Sequence, residues 1–411
     1  MFLEPLKGWT KEQKNAVIAS YLGWTLDAFD FFLLIFLITD VAKAFDTSVT
    51  AVTVAITLTL AFRPLGAFIF GRLADHYGRK PVMMIDVLLY AGFGFLTAFS
   101  PNLIGFFIIR ALFGIAMGGE WGVGASLTME TIPARSRGLV SGLLQAGYPS
   151  GLLLASLVYW VIYPLTDWRG MFMIGIAPAL LVFYIRRSVK ESPGFVPHDA
   201  ESPRGTIVML KRHWRLAIYG MVFMMAMNFF SHGTQDLYKT MLQVDHGLEH
   251  SWVSAINLIA AVGAIIGGLV FGALSQRIGR RRALILGALL ALPVIPFWAF
   301  SGSPWVLLAA GFVMQFMVQG CWGIIPAHLN ELSPPEARGT FPGVIYQLGN
   351  FLASYNATLQ AGLTLRYGSY GAALALVAGI AAIAIAALAL TGQEAREVDM
   401  AASAETQPAR T

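Results

Sequence analysis

The segment 228–240 places ionisable and amide side chains in an otherwise apolar stretch. Asn228, His232, Gln235 and Lys239 recur at helical intervals and form one stripe of a helix, and Asp236 lies beside that stripe. At the depth of a lipid bilayer such groups are costly unless they face a bundle interior or a water-filled cavity. We therefore expect the segment to line a cavity. The alternative for Lys239 is that its amine only reaches the outer surface.

Two carboxylates occupy an earlier apolar stretch. Asp27 and Asp30 are three residues apart and share a helix face. Desolvation and a nearby like charge both disfavour ionisation of such a pair, and a proton carrier needs a group of this kind. Both residues are candidates for proton coupling, and Asp30 is the first choice. The alternative is that one of them is solvated or pairs structurally with an arginine.

Arg63 and Glu120 lie in two further apolar stretches. An arginine stays charged, and its planar fork binds a carboxylate through two hydrogen bonds, so Arg63 suits an anionic substrate. The alternative role is a fixed counter-ion to Asp27 or Asp30, and both roles coexist if a substrate carboxylate replaces the protein carboxylate. Glu120 lies among glycines that allow close helix packing and is a candidate for protonation, or alternatively a packing residue.

Other polar residues in these stretches are expected to be structural. Arg110 is one of them, and Asp86 is expected to pair with arginines of the connecting loops. Aromatic side chains are expected to narrow the cavity toward small ligands, namely Phe29, Phe31, Phe32, Phe229, Phe230 and Tyr346.

The composition identifies the environment of these residues. Of 411 residues, 56% are hydrophobic and 12% are charged, with a mean hydropathy of +0.65, whereas a soluble domain has about a quarter charged residues. Apolar runs long enough to cross a bilayer core of about 30 Å recur along the chain. We count twelve, near 17–39, 51–73, 82–99, 102–128, 138–163, 169–187, 215–242, 251–274, 283–300, 304–329, 339–363 and 370–391.

Charge and cysteine content give the expected topology and exclude some partners. Lysine and arginine concentrate in alternate loops, which by the positive-inside rule places both termini in the cytoplasm of a multi-pass protein. The net charge of +5 is thus a topology signal, and we expect no nucleic-acid partner. The single cysteine, Cys321, excludes an intramolecular disulfide and suggests no cysteine-based metal site.

Three sequence matches at one separation reveal an internal repeat. Residues 71–79, 119–122 and 130–138 each match a segment 201 residues further along. We expect a six-span half at 1–188, a cytoplasmic linker at 189–214, a second half at 215–392 and a disordered tail at 393–411. Because each half has an even number of spans, the copies share one orientation and enclose a central cavity.

The Gly-x-Leu-Ala-Asp-x-x-Gly-Arg-Lys motif at 71–80 resembles the signature of the major facilitator superfamily. The resemblance implies an all-α fold of twelve transmembrane helices in two bundles of six. It also implies a cytoplasmic latch in which Asp75 faces a helix terminus and basic partners, with the motif residues Gly71, Gly78, Arg79 and Lys80. The alternative is that these are only topology-setting loop charges. Gln276 replaces the aspartate in the second copy, so that half should latch more weakly or by another route.

The segment 228–240 resembles the Asn-x-x-Ser-His-x-Ser/Thr-Gln-Asp-x-x-x-Thr signature of Jen-type monocarboxylate:proton symporters, and every specified position matches. The first half, with the segments 26–30 and 119–122, resembles the wider sialate:proton symporter family. The resemblance implies uptake of lactate, pyruvate or related acids with a proton. It also implies that His232 and Asp236 serve proton coupling and affinity, and that Asn228 and Gln235 serve selectivity.

The sequence thus predicts a secondary active transporter that symports a small monocarboxylate with a proton by alternating access. Expected substrate contacts are Arg63, Asn228, His232, Gln235 and Tyr346; expected proton-coupling groups are Asp27, Asp30, Glu120, His232 and Asp236. The alternatives are a larger organic acid, such as sialate or an aromatic carboxylate, and, more remotely, a non-transporting sensor.

We expect no enzyme activity, because the sequence has no HExxH, GxSxG or Walker motif. The expected partners are a small organic anion, a proton and the lipid bilayer of a bacterial inner membrane. We expect a functional monomer with no cofactor other than the coupling proton.

Overall fold

The computed structural model describes residues 4–195 and 212–400, in which the regular elements are helices. Residues 196–211 of the predicted linker and 401–411 of the predicted tail lie outside the described residues. We number the helical spans of the first half as follows: α1 (Lys11–Ala44), α2 (Val49–Tyr77), α3 (Arg79–Thr97), α4 (Leu103–Thr131), α5 (Arg137–Gln145 and Gly147–Ile162) and α6 (Trp168–Ile174 and Leu180–Ser188).

The second half repeats this order. Its spans are α7 (Trp214–Gln235 and Tyr238–Val244), α8 (His250–Ile278), α9 (Arg280–Ala291 and Ile295–Phe300), α10 (Pro304–Trp322 and Ile325–Leu332), α11 (Phe341–Ala353 and Asn356–Tyr367) and α12 (Tyr370–Thr391). Short 3₁₀ turns lie at Glu4–Leu6, Ala134–Ser136, Tyr163–Leu165, Ala177–Ala179, Leu292–Val294 and Pro335–Ala337.

Eleven helices of the described chain are long and apolar enough to cross a membrane, one fewer than the twelve predicted spans. The exception is α11, which consists of two helices of 13 and 12 residues joined at Ser354 and Tyr355. The Ser354 hydroxyl donates to the Phe351 carbonyl at 2.7 Å, a local bond that competes with the helical pattern. The break also places Asn356 at the start of a helix, where its side chain enters the site described below.

Side-chain caps determine where several helices begin. Thr10, Ser48, Asn102, Asp167 and Ser369 each accept a hydrogen bond from the backbone N–H three residues later. Such caps satisfy N–H groups that have no partner within the helix. In all five helices, a capping side chain therefore determines the N-terminal boundary.

Glycines allow α2 and α4 to touch through their backbones, and the repeat reproduces this contact between α8 and α10. A Cβ added at Gly66 would lie 1.7 Å from the Ile115 carbonyl oxygen. At the repeat position, a Cβ on Gly267 would lie 2.1 Å from the Phe316 carbonyl oxygen. Close backbone approach of this kind is typical of helix packing in membranes. The two bundles are thus built on the same internal contact.

The two halves meet at the end of the molecule that carries Arg79, Arg137, Arg280 and Arg338, which we call the basic end. Glycine pairs from opposite halves touch there, because a Cβ on Gly138 would lie 2.4 Å from the Gly272 carbonyl oxygen. Hydrogen bonds join the halves at the same end: the Ser141 hydroxyl accepts from the Ala327 N–H at 3.0 Å, and the Ser126 hydroxyl donates to the Arg338 carbonyl. The basic end is therefore closed.

The first residues of the predicted tail take part in this closure. The Glu394 carboxylate accepts the backbone N–H groups of Arg280 and Arg281 at 3.2 and 3.1 Å. Arg137 of the first half donates to the Val398 carbonyl, and Met400 is buried in an apolar cluster that includes residues of both halves. Residues 394–400 therefore contact both halves in the structure, whereas their polarity predicted a disordered tail.

Candidate substrate and proton site

Arg63 is held in the first half where α2 meets α4. The side chain is 3% exposed, and its guanidinium carbon lies 5.9 Å from the centre of the Trp24 ring, within cation–π range. A Cβ on Gly118 would lie 2.1 Å from the Arg63 carbonyl oxygen, so that glycine lets α4 pack here. The Nε and Nη2 groups of Arg63 have no hydrogen-bond partner in the described residues. The guanidinium thus has donors available for an anion.

Asp27 and Asp30 lie in the interior of the first bundle and are brought close to arginines. Asp27 is within electrostatic reach of Arg63 and Arg110. Asp30 lies against α3 and α6, because a Cβ on Gly94 would be 3.3 Å from its Oδ2 atom. Arg110 is within electrostatic reach of both carboxylates and has no hydrogen-bonded side-chain nitrogen in the described residues. Arg110 is therefore part of the charged cluster and more than a packing residue.

Glu120 and Asp86 form a second acidic pair in the same bundle. A Cβ on Gly23 would lie 2.1 Å from Glu120 Oε1, so the carboxyl group is pressed against α1. Asp86 is completely buried and within electrostatic reach of Glu120 and Asp27. The expectation that Asp86 pairs with loop arginines is wrong, because in the described residues its carboxylate has no hydrogen-bond partner.

The second half contributes a histidine–aspartate pair that is accessible to solvent. His232 Nδ1 lies 3.0 Å from Asp236 Oδ1, and the two side chains are 44% and 29% exposed. The Asn356 amide donates to Asp236 Oδ2 at 2.9 Å, and the Asn350 side chain hydrogen-bonds His232. Helices α7 and α11 together fix the pair. The sequence did not indicate Asn350 or Asn356, which follow no motif.

A layer of amides extends from α7 to α10. The Gln235 amide donates to the Ser231 hydroxyl at 3.0 Å and to the Gln315 Oε1 atom at 3.1 Å. Gln315 donates in turn to the Thr234 hydroxyl at 3.1 Å, and Gln319 donates to Ser231 at 3.3 Å. Sequence reasoning missed Gln315 and Gln319, although their separation by one helical turn in an apolar span is a readable signal.

Two predicted members of the α7 stripe are not in this layer. Asn228 is buried, and its amide donates to the Met224 carbonyl of its own helix at 2.8 Å. Lys239 is exposed, and it lies on the short second helix of α7, beyond the break after Gln235. The stripe is therefore shorter than its helical spacing predicted.

Aromatic rings lie between the charged groups of the first half and the histidine–aspartate pair of the second half. Tyr346 stacks on Trp121 at 4.1 Å between ring centres and meets Trp322, the repeat equivalent of Trp121, edge-on at 5.6 Å. Tyr148 is within electrostatic reach of Arg63, Asp27 and Asp236. This tyrosine thus lies between the carboxylate cluster of the first half and the histidine–aspartate pair of the second half.

The motif at 71–80 forms a contact between the halves at the basic end. Asp75 Oδ1 accepts the Gly339 N–H at 2.7 Å, and Oδ2 accepts the Thr340 N–H and hydroxyl at 2.9 and 2.6 Å. These groups lie just before α11, where helical N–H groups favour an anion. A Cβ on Gly71 would lie 2.6 Å from Thr340 Cα, so only glycine fits there.

The other motif residues anchor this contact within the first half. Gly78 has a φ of +101°, which favours glycine, and turns the chain from α2 into α3. Arg79 pairs with Asp75 at 3.2 Å and with Glu130 at 3.0 Å, and the Lys80 amine donates to the Arg186 carbonyl at 3.1 Å. Lys80 thus joins α3 to the end of α6 and does not reach the second half.

The repeated motif makes a weaker version of the contact. Gln276, at the position equivalent to Asp75, accepts the Gly138 N–H at 3.2 Å and the Arg280 guanidinium at 2.7 Å. Because the amide is uncharged and receives one backbone N–H from the other half instead of two, it provides less attraction between the halves.

Two helical bundles related by an internal repeat, with buried charges in the first and a histidine–aspartate pair in the second, have the architecture of a membrane transporter. The chain belongs to the Major Facilitator Superfamily, whose family model matches residues 20–261; a Sugar (and other) transporter model matches residues 212–392. The expected all-α fold and family are thereby confirmed.

Curated relatives include several carriers. The chain is 30% identical to a carboxylic acid transporter protein homolog of Saccharomyces cerevisiae over 88% of its own length, and it spans 63% of that relative. It is also 30% identical to the sialic acid transporter NanX of Escherichia coli, covering 83% of this chain and 86% of NanX. A probable 4-methylmuconolactone transporter of Cupriavidus pinatubonensis is 29% identical, covering 85% and 83% of the two chains.

Solved structures share the fold at low identity. The proton:xylose symporter XylE aligns with a TM-score of 0.78 at 16% identity, covering 95% of this chain and 98% of XylE. FucP in its outward conformation aligns with a TM-score of 0.70 at 16% identity, covering 92% and 98% of the two chains.

Proposed function

We propose that the protein is a proton-coupled symporter of a small monocarboxylate such as lactate or pyruvate, located in a bacterial inner membrane. The observation that carries the proposal is the position of Arg63. It is a buried, permanently charged group with available donors, within electrostatic reach of Asp27. The names of the relatives, which include carboxylic acid and sialic acid carriers, support an organic anion as substrate.

The proposed orientation follows from the distribution of arginine. By the positive-inside rule the basic end is cytoplasmic, and so are both termini. The described conformation is then closed toward the cytoplasm. An external anion would reach the site past His232 and Asp236, and the Asp75 contact would have to break before release on the inside.

In the proposed cycle, Asp27 and the substrate compete for Arg63. With Asp27 ionised, the guanidinium is neutralised by a protein carboxylate. A proton from outside that neutralises Asp27 frees Arg63 for the substrate carboxylate, which it can bind through two parallel hydrogen bonds. Substrate and proton therefore load together. The amides of Gln235 and Gln319 supply donors and acceptors for the rest of the molecule.

Transport by purified protein in liposomes tests the proposal. We expect an imposed inward proton gradient to drive uptake of labelled lactate or pyruvate, and absence of uptake would reject the monocarboxylate symporter. Arg63→Ala should abolish uptake. Arg63→Lys is the matched control. It keeps the positive charge but loses the planar guanidinium, so we expect weaker substrate binding with residual transport.

A larger acid is the second candidate, because the relatives include the sialic acid transporter and the methylmuconolactone transporter. Competition of labelled lactate uptake by acids of increasing size distinguishes the two. We expect the stacked Tyr346 and Trp121 rings to narrow the site and so to favour a small ligand. Stronger competition by sialate than by unlabelled lactate would select the larger substrate.

A further inference from the structure

Glu120 and Asp86 are buried acids without a counter-charge of their own. Both are 0% exposed, and their carboxylate oxygens, like those of Asp27 and Asp30, have no hydrogen-bond partner in the described residues. Arg110 and Arg63 are within electrostatic reach of Asp27, and Arg110 also of Asp30. Two arginines thus balance two carboxylates. A buried unpaired charge costs several kcal/mol, so the lack of an arginine beside Glu120 and Asp86 among the described residues favours their protonated forms.

The titratable groups around Glu120 all belong to the first half. The titratable groups that face it are Asp27 on α1 and Asp86 and Tyr90 on α3. Gly23 and Gly124 leave room for the carboxyl group, since a Cβ on Gly124 would lie 3.4 Å from Oε1. The repeat equivalent of Glu120 is Cys321, so the acid is a feature of the first half alone.

A small cavity adjoins Glu120 on the side of the basic end. Its volume is about 10 Å³, close to the minimum for one water, and its lining consists of Ser20, Trp24, Glu120, Trp121, Gly124, Ala125 and Leu144. Ser20 lies seven residues before Asp27, or roughly 10 Å along α1 toward the basic end. The cavity therefore lies on the side of Glu120 that faces the basic end.

An apolar cluster closes the way beyond this cavity. It contains Leu144 and Val17 of the first half, Ala327 of the second half, and Met400. Because residues of both halves form the cluster, separation of the halves at the basic end opens it.

We propose that Glu120 is the release site of the coupled proton, which leaves through the first half toward the basic end. In the state open at the basic end, the Glu120 carboxyl O–H breaks and its proton passes to water in the cavity. The Asp27 carboxyl then gives its proton to the Glu120 carboxylate. Asp86, which keeps its proton, is a positioning residue within electrostatic reach of Glu120 and leaves Glu120 as the group that ionises. The inference rests on the proposed symport.

Two assays on the same liposomes test this role. Uptake of labelled lactate under an inward proton gradient requires proton release, whereas counterflow, with unlabelled lactate inside and no gradient, requires only substrate exchange. We expect Glu120→Gln to keep counterflow within about twofold of the unsubstituted protein and to lose gradient-driven accumulation by about tenfold or more. Glu120→Asp should restore most of the accumulation, and Asp86→Asn should lower it by about threefold.

The outcomes separate the release site from other roles. Full gradient-driven accumulation by Glu120→Gln would make Glu120 a packing residue, and equal loss in both assays would make it a binding or folding residue; either result overturns the inference. Cys321→Ser, the substitution at the repeat position, is the packing control and should leave both assays unchanged. No gradient-driven uptake by the unsubstituted protein would instead reject the proposed symport, on which the inference rests.

Discussion

Replacement of Asp75 by asparagine should shift the protein toward the conformation open at the basic end. Asp75 receives three hydrogen bonds from the other half, two on Oδ2 and one on Oδ1, at 2.6 to 2.9 Å. Asparagine keeps one acceptor oxygen, but its amide nitrogen then faces an N–H donor. The substitution therefore removes at least one charge-assisted bond and weakens the other two.

The size of this effect follows from the contacts. Hydrogen bonds to a charged group contribute about 1.5–3 kcal/mol each, but hydration of Asp75 in the open state recovers part of the loss. The Asp75 side chain is 14% exposed in the closed state, so a net change of about 1.5 kcal/mol is expected. That change corresponds to roughly a tenfold shift between the two conformations.

Distance measurements between spin labels provide the assay. His76 and Arg277 are exposed repeat equivalents at the basic end and can be labelled after Cys321→Ser removes the native thiol. We expect Asp75→Asn to add a longer-distance population. The matched control is Gln276→Ala, which removes the single backbone contact at 3.2 Å and should shift the distribution less. An unchanged distribution in Asp75→Asn, with unchanged thermal stability, would refute the role of this contact.

Three further predictions concern the packing around Gly23, the contact between Asn356 and Asp236, and the C-terminal tail. Gly23→Ala places a methyl group 2.1 Å from Glu120 Oε1 and should destabilise the protein by about 1–3 kcal/mol, seen as a lower melting temperature; an unchanged melting temperature would contradict the close packing. Asn356→Ala removes the amide that holds Asp236 and should raise the half-saturating substrate concentration about fivefold, whereas unchanged uptake kinetics would exclude a positioning role. Truncation after Gly392 removes Met400 from its apolar cluster and should shift the spin-label distances in the same direction as Asp75→Asn; no shift would show that the tail does not stabilise closure.

The sequence predicted some features of the site because they are local. The pairing of His232 with Asp236 follows from their separation by one helical turn, and the structure places their side chains 3.0 Å apart. By contrast, helical spacing placed Asn228 on the same stripe, and the structure turns its amide onto its own helix. Spacing gives the face of a helix but not the rotamer of a side chain.

The partners contributed by distant helices could not be predicted. Asn356 approaches Asp236 only because α11 breaks and packs on α7, and Gln315 approaches Gln235 only because α10 packs there. Asp86 was expected near loop arginines because of its position along the chain. In the structure it lies beside Glu120, since helix packing decides which face of α3 is buried.

The sequence by itself determined the membrane environment and the internal repeat. It also identified the ionisable residues within apolar spans, whose burial in lipid is too costly unless they face a cavity. These properties depend on composition and on periodicity within single segments. Tertiary structure alone decided that the basic end is closed, that Arg110 joins the carboxylates, and that Glu120 adjoins a cavity leading toward that end. Each depends on contacts between segments far apart in the chain, where packing fixes which charges meet and which remain unpaired.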